Sequence, residues 1–139
     1  MIAYTDYTFG ALLDGIAASG LEERTAVFAS SDHGDFAGDY GLVEKWPGGA
    51  DDVLTRVPLI ARIPGGAKGK VARGPVQTAD IMETMLDLAG VESEWVRFAE
   101  SLRGVLESEV GDEREDDLSR MVYSEGGFFC KLQICKGIL

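Results

Sequence analysis

Five residues in a row, Thr25-Ala26-Val27-Phe28-Ala29, carry no charge and show no apolar–polar alternation, and Ser30-Ser31-Asp32-His33-Gly34 cuts them off. A strand with one wet face would alternate. A short continuous run reads instead as a strand covered on both faces, the habit of parallel sheets. Ligand sites in open α/β sheets gather beyond the carboxyl ends of strands. Asp32 and His33 stand at such an end, so one segment sets an α/β architecture and marks where chemistry would be placed on it.

The flanking sequence supports that architecture. Phe9, Leu12, Leu13, Ile16 and Ala17 recur at helical spacing and form one apolar stripe, with Gly20 as the residue that ends the helix. Residues 34–52 are rich in glycine and without usable period, which predicts a long structured loop. Proline brackets a second strand over 58–63, and 65–70 is a turn. Thr78 is placed to cap a helix whose first turn holds Asp80 and whose apolar face is Ile81, Met82, Met85, Leu86 and Ala89, ended by Gly90; the methionines read as core filler. A short helix over 102–106 and a strand over 121–124 follow, with an acidic loop or frayed helix across 107–120. The expected fold is α/β: a mostly parallel or mixed sheet from residues 25–31, 58–63 and 121–124 with flanking helices.

Composition removes whole classes of function. Of 139 residues, 24 are acidic and 13 basic, for a net charge of −11, which excludes nucleic acid and anionic membranes as partners. At 45% hydrophobic residues the chain has enough apolar material for one domain with a core. No basic, apolar leader opens it and no stretch is long enough to span a bilayer, so the expected location is cytoplasmic. Cys130 and Cys135 match no zinc or redox spacing and read as free thiols. Residues 64–71 imitate a phosphate-binding loop, but Pro64 replaces its first glycine and Val71 its Mg²⁺-binding hydroxyl.

Asp32 and His33 are oxygen and nitrogen donors of the type that bind Mg²⁺, Mn²⁺, Ca²⁺ or Zn²⁺. Neighbours on a regular strand point to opposite faces. They converge on one ion only where the strand gives way to a turn, and Gly34 offers the backbone freedom for that. The alternative is a solvated turn in which Asp32 caps an N–H and His33, the sole histidine, is incidental. Lys45, thirteen residues after Asp32, offers positive charge to an anionic substrate, or is a surface lysine paired with Glu44. Tyr40 can hydrogen-bond a substrate oxygen or pack.

The ordered set Thr25-Ala26-Val27-Phe28-Ala29-Ser30-Ser31-Asp32-His33-Gly34, then Glu44-Lys45-Trp46, then Arg56-Val57-Pro58-Leu59-Ile60, resembles the later half of the catalytic domain of a sulfatase. Sulfatases are members of the alkaline-phosphatase-like superfamily and close relatives of phosphonate monoester hydrolases. The segment from Thr78 to Gly90, and Tyr123-Ser124-Glu125-Gly126-Gly127, fit the same pattern. The resemblance spans residues 1–127, leaving 128–139 as a divergent tail. It implies a partial alkaline-phosphatase-like sandwich, Asp32 and His33 as metal ligands, and Ca²⁺ as the ion, with Mn²⁺ or Mg²⁺ as alternatives. It further implies Lys45 as the contact to sulfate or phosphate oxygens, and a sulfate, phosphate or phosphonate ester as substrate. Tyr40 departs from a histidine often found at its position, so no role carries over to it.

The family's nucleophile is a formylglycine made from Cys or Ser in a Cys/Ser-x-Pro-x-Arg segment. No cysteine or serine of these 139 residues stands in such a segment. The chain therefore reads as a sulfatase fragment, inactive alone, with self-association through surface that a larger domain would cover. A non-catalytic acidic α/β binding module is the competing reading.

Overall fold

A computed structural model of the chain describes residues 2–45, 49–92, 98–108 and 118–124, and the backbone of 133–135. Trp46, Glu125, Gly126, Gly127 and Cys130 lie outside the described residues, as do most of 107–120 and of the tail after 127.

The chain opens with helix α1 (Ile2–Ala18). Its end is a Schellman closure: Gly20 takes φ +67° while the N–H groups of Gly20 and Leu21 donate to the carbonyls of Ala17 and Ile16. Phe9, Leu13 and Ile16 are half-buried, whereas Leu12 and Ala17 of the expected stripe are exposed, and no residue of α1 is buried. A 3₁₀ turn over Glu22–Arg24 leads to strand β1 (Val27–Ser30). Two short strands, β2 (Phe36–Ala37) and β3 (Val43–Glu44), and helix α2 (Asp52–Thr55) structure the glycine-rich loop. Strand β4 (Leu59–Arg62), helices α3 (Ala79–Leu88) and α4 (Arg103–Glu107), and strands β5 (Val122–Ser124) and β6 (Gln133–Cys135) follow.

The expected parallel or mixed sheet is not what forms. Each described sheet is a two-stranded antiparallel ladder: β1 with β4, β2 with β3, and β5 with β6. Val27 pairs with Arg62 and Ser30 with Leu59, so the chain doubles back between them. A parallel partner would need a crossover returning the chain to the same end of β1. The described residues of 31–58 form a short hairpin and one helical turn, and β4 follows from the opposite direction. The non-alternating run misled because β1 is half-covered on both faces, a state that looks like parallel burial in the sequence. Arg62, on β4, donates to Glu22 at 3.1 Å and ties the turn after α1 to this ladder.

The second half is organised by a polar side chain. Asp80 and Thr84 are buried, while Met82 and Met85 are about half exposed, so the methionines are not core. Thr78 makes no capping hydrogen bond. Instead the Asp80 carboxylate accepts the N–H groups of Gln77 at 2.8 Å and Glu100 at 3.0 Å. Arg120 donates to its two oxygens at 2.7 and 2.8 Å. Thr84 continues the link, accepting the N–H of Leu102 and donating to the Asp80 carbonyl. The apolar core of the described residues is small: Phe36, Leu54, Ile63 and Leu102. Two of these, Phe36 and Leu54, lie in the segment that carries the site. Among the described residues no helix is long and apolar enough to cross a membrane.

Candidate metal and anion site

β1 stops at Ser30, and the next five residues turn instead of continuing the pleat. The turn is fixed locally. Ser31 Oγ donates to the His33 carbonyl at 2.8 Å, and the His33 N–H donates to Asp32 Oδ1 at 3.0 Å. It is also fixed from outside, because the Gly34 N–H donates to the Leu54 carbonyl of α2 at 2.7 Å. A Cβ on Gly34 would sit 1.9 Å from the Val53 carbonyl oxygen. Gly34 does not adopt a positive φ. Glycine is needed there for close backbone approach rather than for the conformational freedom expected of it.

Asp32, His33 and Lys45 come together at this turn. His33 Nδ1 lies 2.8 Å from the Gly34 carbonyl, which only accepts, so Nδ1 carries the proton and Nε2 is left with a bare lone pair. Lys45 Nζ donates to that lone pair at 3.0 Å. Asp32 Oδ2 lies 3.6 Å from the same nitrogen. Asp32 is exposed, and its carboxyl titrates below the usual 3.8, first because the backbone N–H of His33 bonds it and then by electrostatic attraction to the neighbouring imidazole, with Lys45 adding a smaller pull.

Lys45 reaches the site from the β2–β3 hairpin. Phe36 faces Glu44 across the antiparallel ladder, so Lys45, the next residue, leaves it level with Asp35 and beside the His33 turn. Among the described residues only Tyr40 (φ +54°) and Glu44 (φ +63°) hold a left-handed backbone without being glycine. Both are on this hairpin. Such a conformation costs a residue bearing a Cβ about 1–2 kcal/mol, and it accumulates where geometry is set by function. Hydrogen bonds from Gly38 to Leu42, Gly41 to Gly38 and Leu42 to Asp39 hold the Tyr40 turn.

Two donors are less than a coordination shell. Among the described residues no group of three or more His, Cys, Asp or Glu side chains is arranged around an ion. The pair nonetheless suits a cation: a lone pair and a carboxylate oxygen face one point, and an ammonium group already donates there. They fit as two ligands of a site completed by others. Sequence reasoning missed Ser31, which locks the turn, and the α2 backbone, which presses on it. Ser31 was readable as a hydroxyl next to a turn; a carbonyl twenty residues on was not.

Residues 1–91, which contain the whole constellation, match the family model described as Sulfatase. The uncharacterized sulfatase YidJ of Escherichia coli is 33% identical over 104 residues, 75% of this chain and 20% of its own length. A choline-sulfatase of Rhizobium meliloti is 36% identical over 99 residues, 69% of this chain and 18% of its own. A solved structure of a protein in complex with its substrate D-glucosamine-2-N,6-O-disulfate superposes with a TM-score of 0.77 at 25% identity, covering 98% of this chain and 28% of that one. The chain spans about a fifth of the length of the curated relatives it matches.

Proposed function

This chain belongs to the sulfatase family, and on that premise we propose that it carries the part of a sulfuric ester hydrolase site that holds a divalent ion and the sulfate group. The observation that carries this reading is the meeting of Asp32, His33 and Lys45 at one turn. Asp32 and His33 are the residues that would hold the ion, for which Ca²⁺ is the first choice and Mn²⁺ or Mg²⁺ the alternatives. When bound, such an ion supplies Lewis-acid polarisation of the ester oxygens.

The chain's own residues do the rest. The hydrogen bond from Nδ1 to Gly34 fixes the His33 tautomer, so Nε2 is presented as a donor without a proton to remove. Asp32 stays ionised throughout the neutral range. Lys45, which swings on a flexible stem, exchanges its hydrogen bond to Nε2 for sulfate oxygens, neutralising the anion and the charge that grows on the departing oxygen. The relative solved with a sulfated glucosamine supports a sulfate ester as substrate. With no Cys/Ser-x-Pro-x-Arg segment in these 139 residues, the chain alone binds and does not turn over.

The test uses the sole histidine as a reporter. Ca²⁺, then inorganic sulfate, is titrated into the 139-residue chain while the His33 imidazole signals are followed by NMR. We expect Ca²⁺ to shift them, sulfate to shift them further, and Lys45→Ala to strengthen the Ca²⁺ response while abolishing that of sulfate. An activated aryl sulfate should release no alcohol above background. A silent His33, an unchanged sulfate response in Lys45→Ala, or metal-dependent turnover would each refute the assignment.

A further inference from the structure

Tyr40 has no part in the site just described, yet its surroundings are unusual. It is 82% exposed, the second most exposed aromatic among the described residues after Phe98 at 85%. Its left-handed backbone is maintained at a cost, by a turn closed with three backbone hydrogen bonds. A tyrosine whose only task was to decorate a hairpin tip would be replaced there by glycine or asparagine without loss.

The ring does not extend away from the protein. It folds back from the tip and meets Phe36 edge to face, with centroids 6.2 Å apart and planes at 77°. Phe36 is buried at the base of the hairpin, three residues after His33, and pairs with Glu44, which immediately precedes Lys45. Phe36 thus braces one side of the ring and leaves most of its surface open to solvent. The open surface of an aromatic ring offers a flat apolar platform with a negative face, suited to the C–H face of a sugar or the edge of an aryl group.

We propose that Tyr40 is a specificity-determining residue, contacting the organic group of the ester and selecting substrates in which a ring, aryl or pyranosyl, adjoins the sulfate. This rests on the reading of Asp32, His33 and Lys45 as the sulfate end of the site. Lys45 would take the anion, and the Tyr40 ring would take the ring beside it. The phenolic hydroxyl is not required, because the contact is with the ring.

The experiment compares p-nitrophenyl sulfate, hexyl sulfate and inorganic sulfate, each titrated in the presence of Ca²⁺ and read at His33. Hexyl sulfate has the six carbons of the aryl probe without its ring. The aryl ester should bind at least about threefold more tightly than hexyl sulfate, in line with a single aromatic contact. Tyr40→Asn, which keeps a residue at ease in the left-handed conformation, should erase that preference and leave inorganic sulfate affinity unchanged. Tyr40→Phe should retain it. Equal binding of the two esters, or a preference that survives Tyr40→Asn while inorganic sulfate still binds, overturns the role of Tyr40 and leaves the sulfate site standing. Failure of all three anions to reach His33 overturns both.

Discussion

At Gly34 a single missing methyl group decides the geometry of the site. The Val53 carbonyl lies where a β-carbon would be, and backbone cannot step aside as a flexible side chain can. Gly34→Ala must push apart α2 and the Asp32–His33 turn. We expect a loss of about 1–3 kcal/mol, the usual cost of overpacking, measured as a lower urea midpoint. The His33 imidazole signals should shift with it, because Nδ1 is bonded to the carbonyl of the displaced residue. A stable variant with unchanged His33 signals would remove α2 from the account. Asp32 and His33 were legible as a pair from their place at the end of an apolar run, and Lys45 from its distance along a glycine-rich loop. What holds them was not, since a close approach between backbones nineteen residues apart has no periodic trace.

At the scale of elements, α3 is anchored by charge where its sequence advertised apolar packing. Burial opposes ionisation of Asp80, but the hydrogen bonds from Arg120, Gln77 and Glu100 outweigh it and hold the carboxyl below its usual 3.8. A lowered folded pKa places the resulting stabilisation above 3.8 and removes it as pH falls through the lower folded value. Urea midpoints followed by circular dichroism should therefore be level from pH 7 to about 5 and decline below pH 4. Arg120→Met leaves a buried carboxylate without its cation and should cost about 3–5 kcal/mol at pH 7. It should also flatten the acid decline, because a carboxyl whose folded pKa rises back toward 3.8 has less stabilisation left to lose on acidification. A variant within about 1 kcal/mol of the parent, with the same acid limb, would show that the clamp is ornamental. Arg120 lies 40 residues from Asp80, and no spacing rule connects them. The sequence signal at the helix start pointed to Thr78, but its backbone is already helical and the N–H groups of Asp80 and Ile81 donate to the carbonyls of Gln77 and Thr78 instead.

For the whole molecule, the class of the fold was legible and the direction of its strands was not. Helices and strands fall close to where periodicity placed them, and Gly20 and Gly90 end their helices as read, both at positive φ. Strand polarity depends on what joins β1 to β4, and residues 31–58 carried too little pattern to show the chain reversing. The most consequential feature at this scale is α1. Its 17 residues include none that is buried, and Tyr4 and Tyr7 are about three-quarters exposed on the side away from Phe9 and Leu13. A helix this short gains little from its own hydrogen bonds without tertiary contacts. Its amide protons should trade with deuterium through local fraying that leaves β1 and β4 intact, at opening free energies close to zero, while those ladder amides wait for global unfolding. Deuterium uptake in α1 as slow as in β4 at low protein concentration would contradict that ranking. Slowing that grows with protein concentration would mean that a second copy shelters the helix, and the exchange rate would then serve as a clock for association.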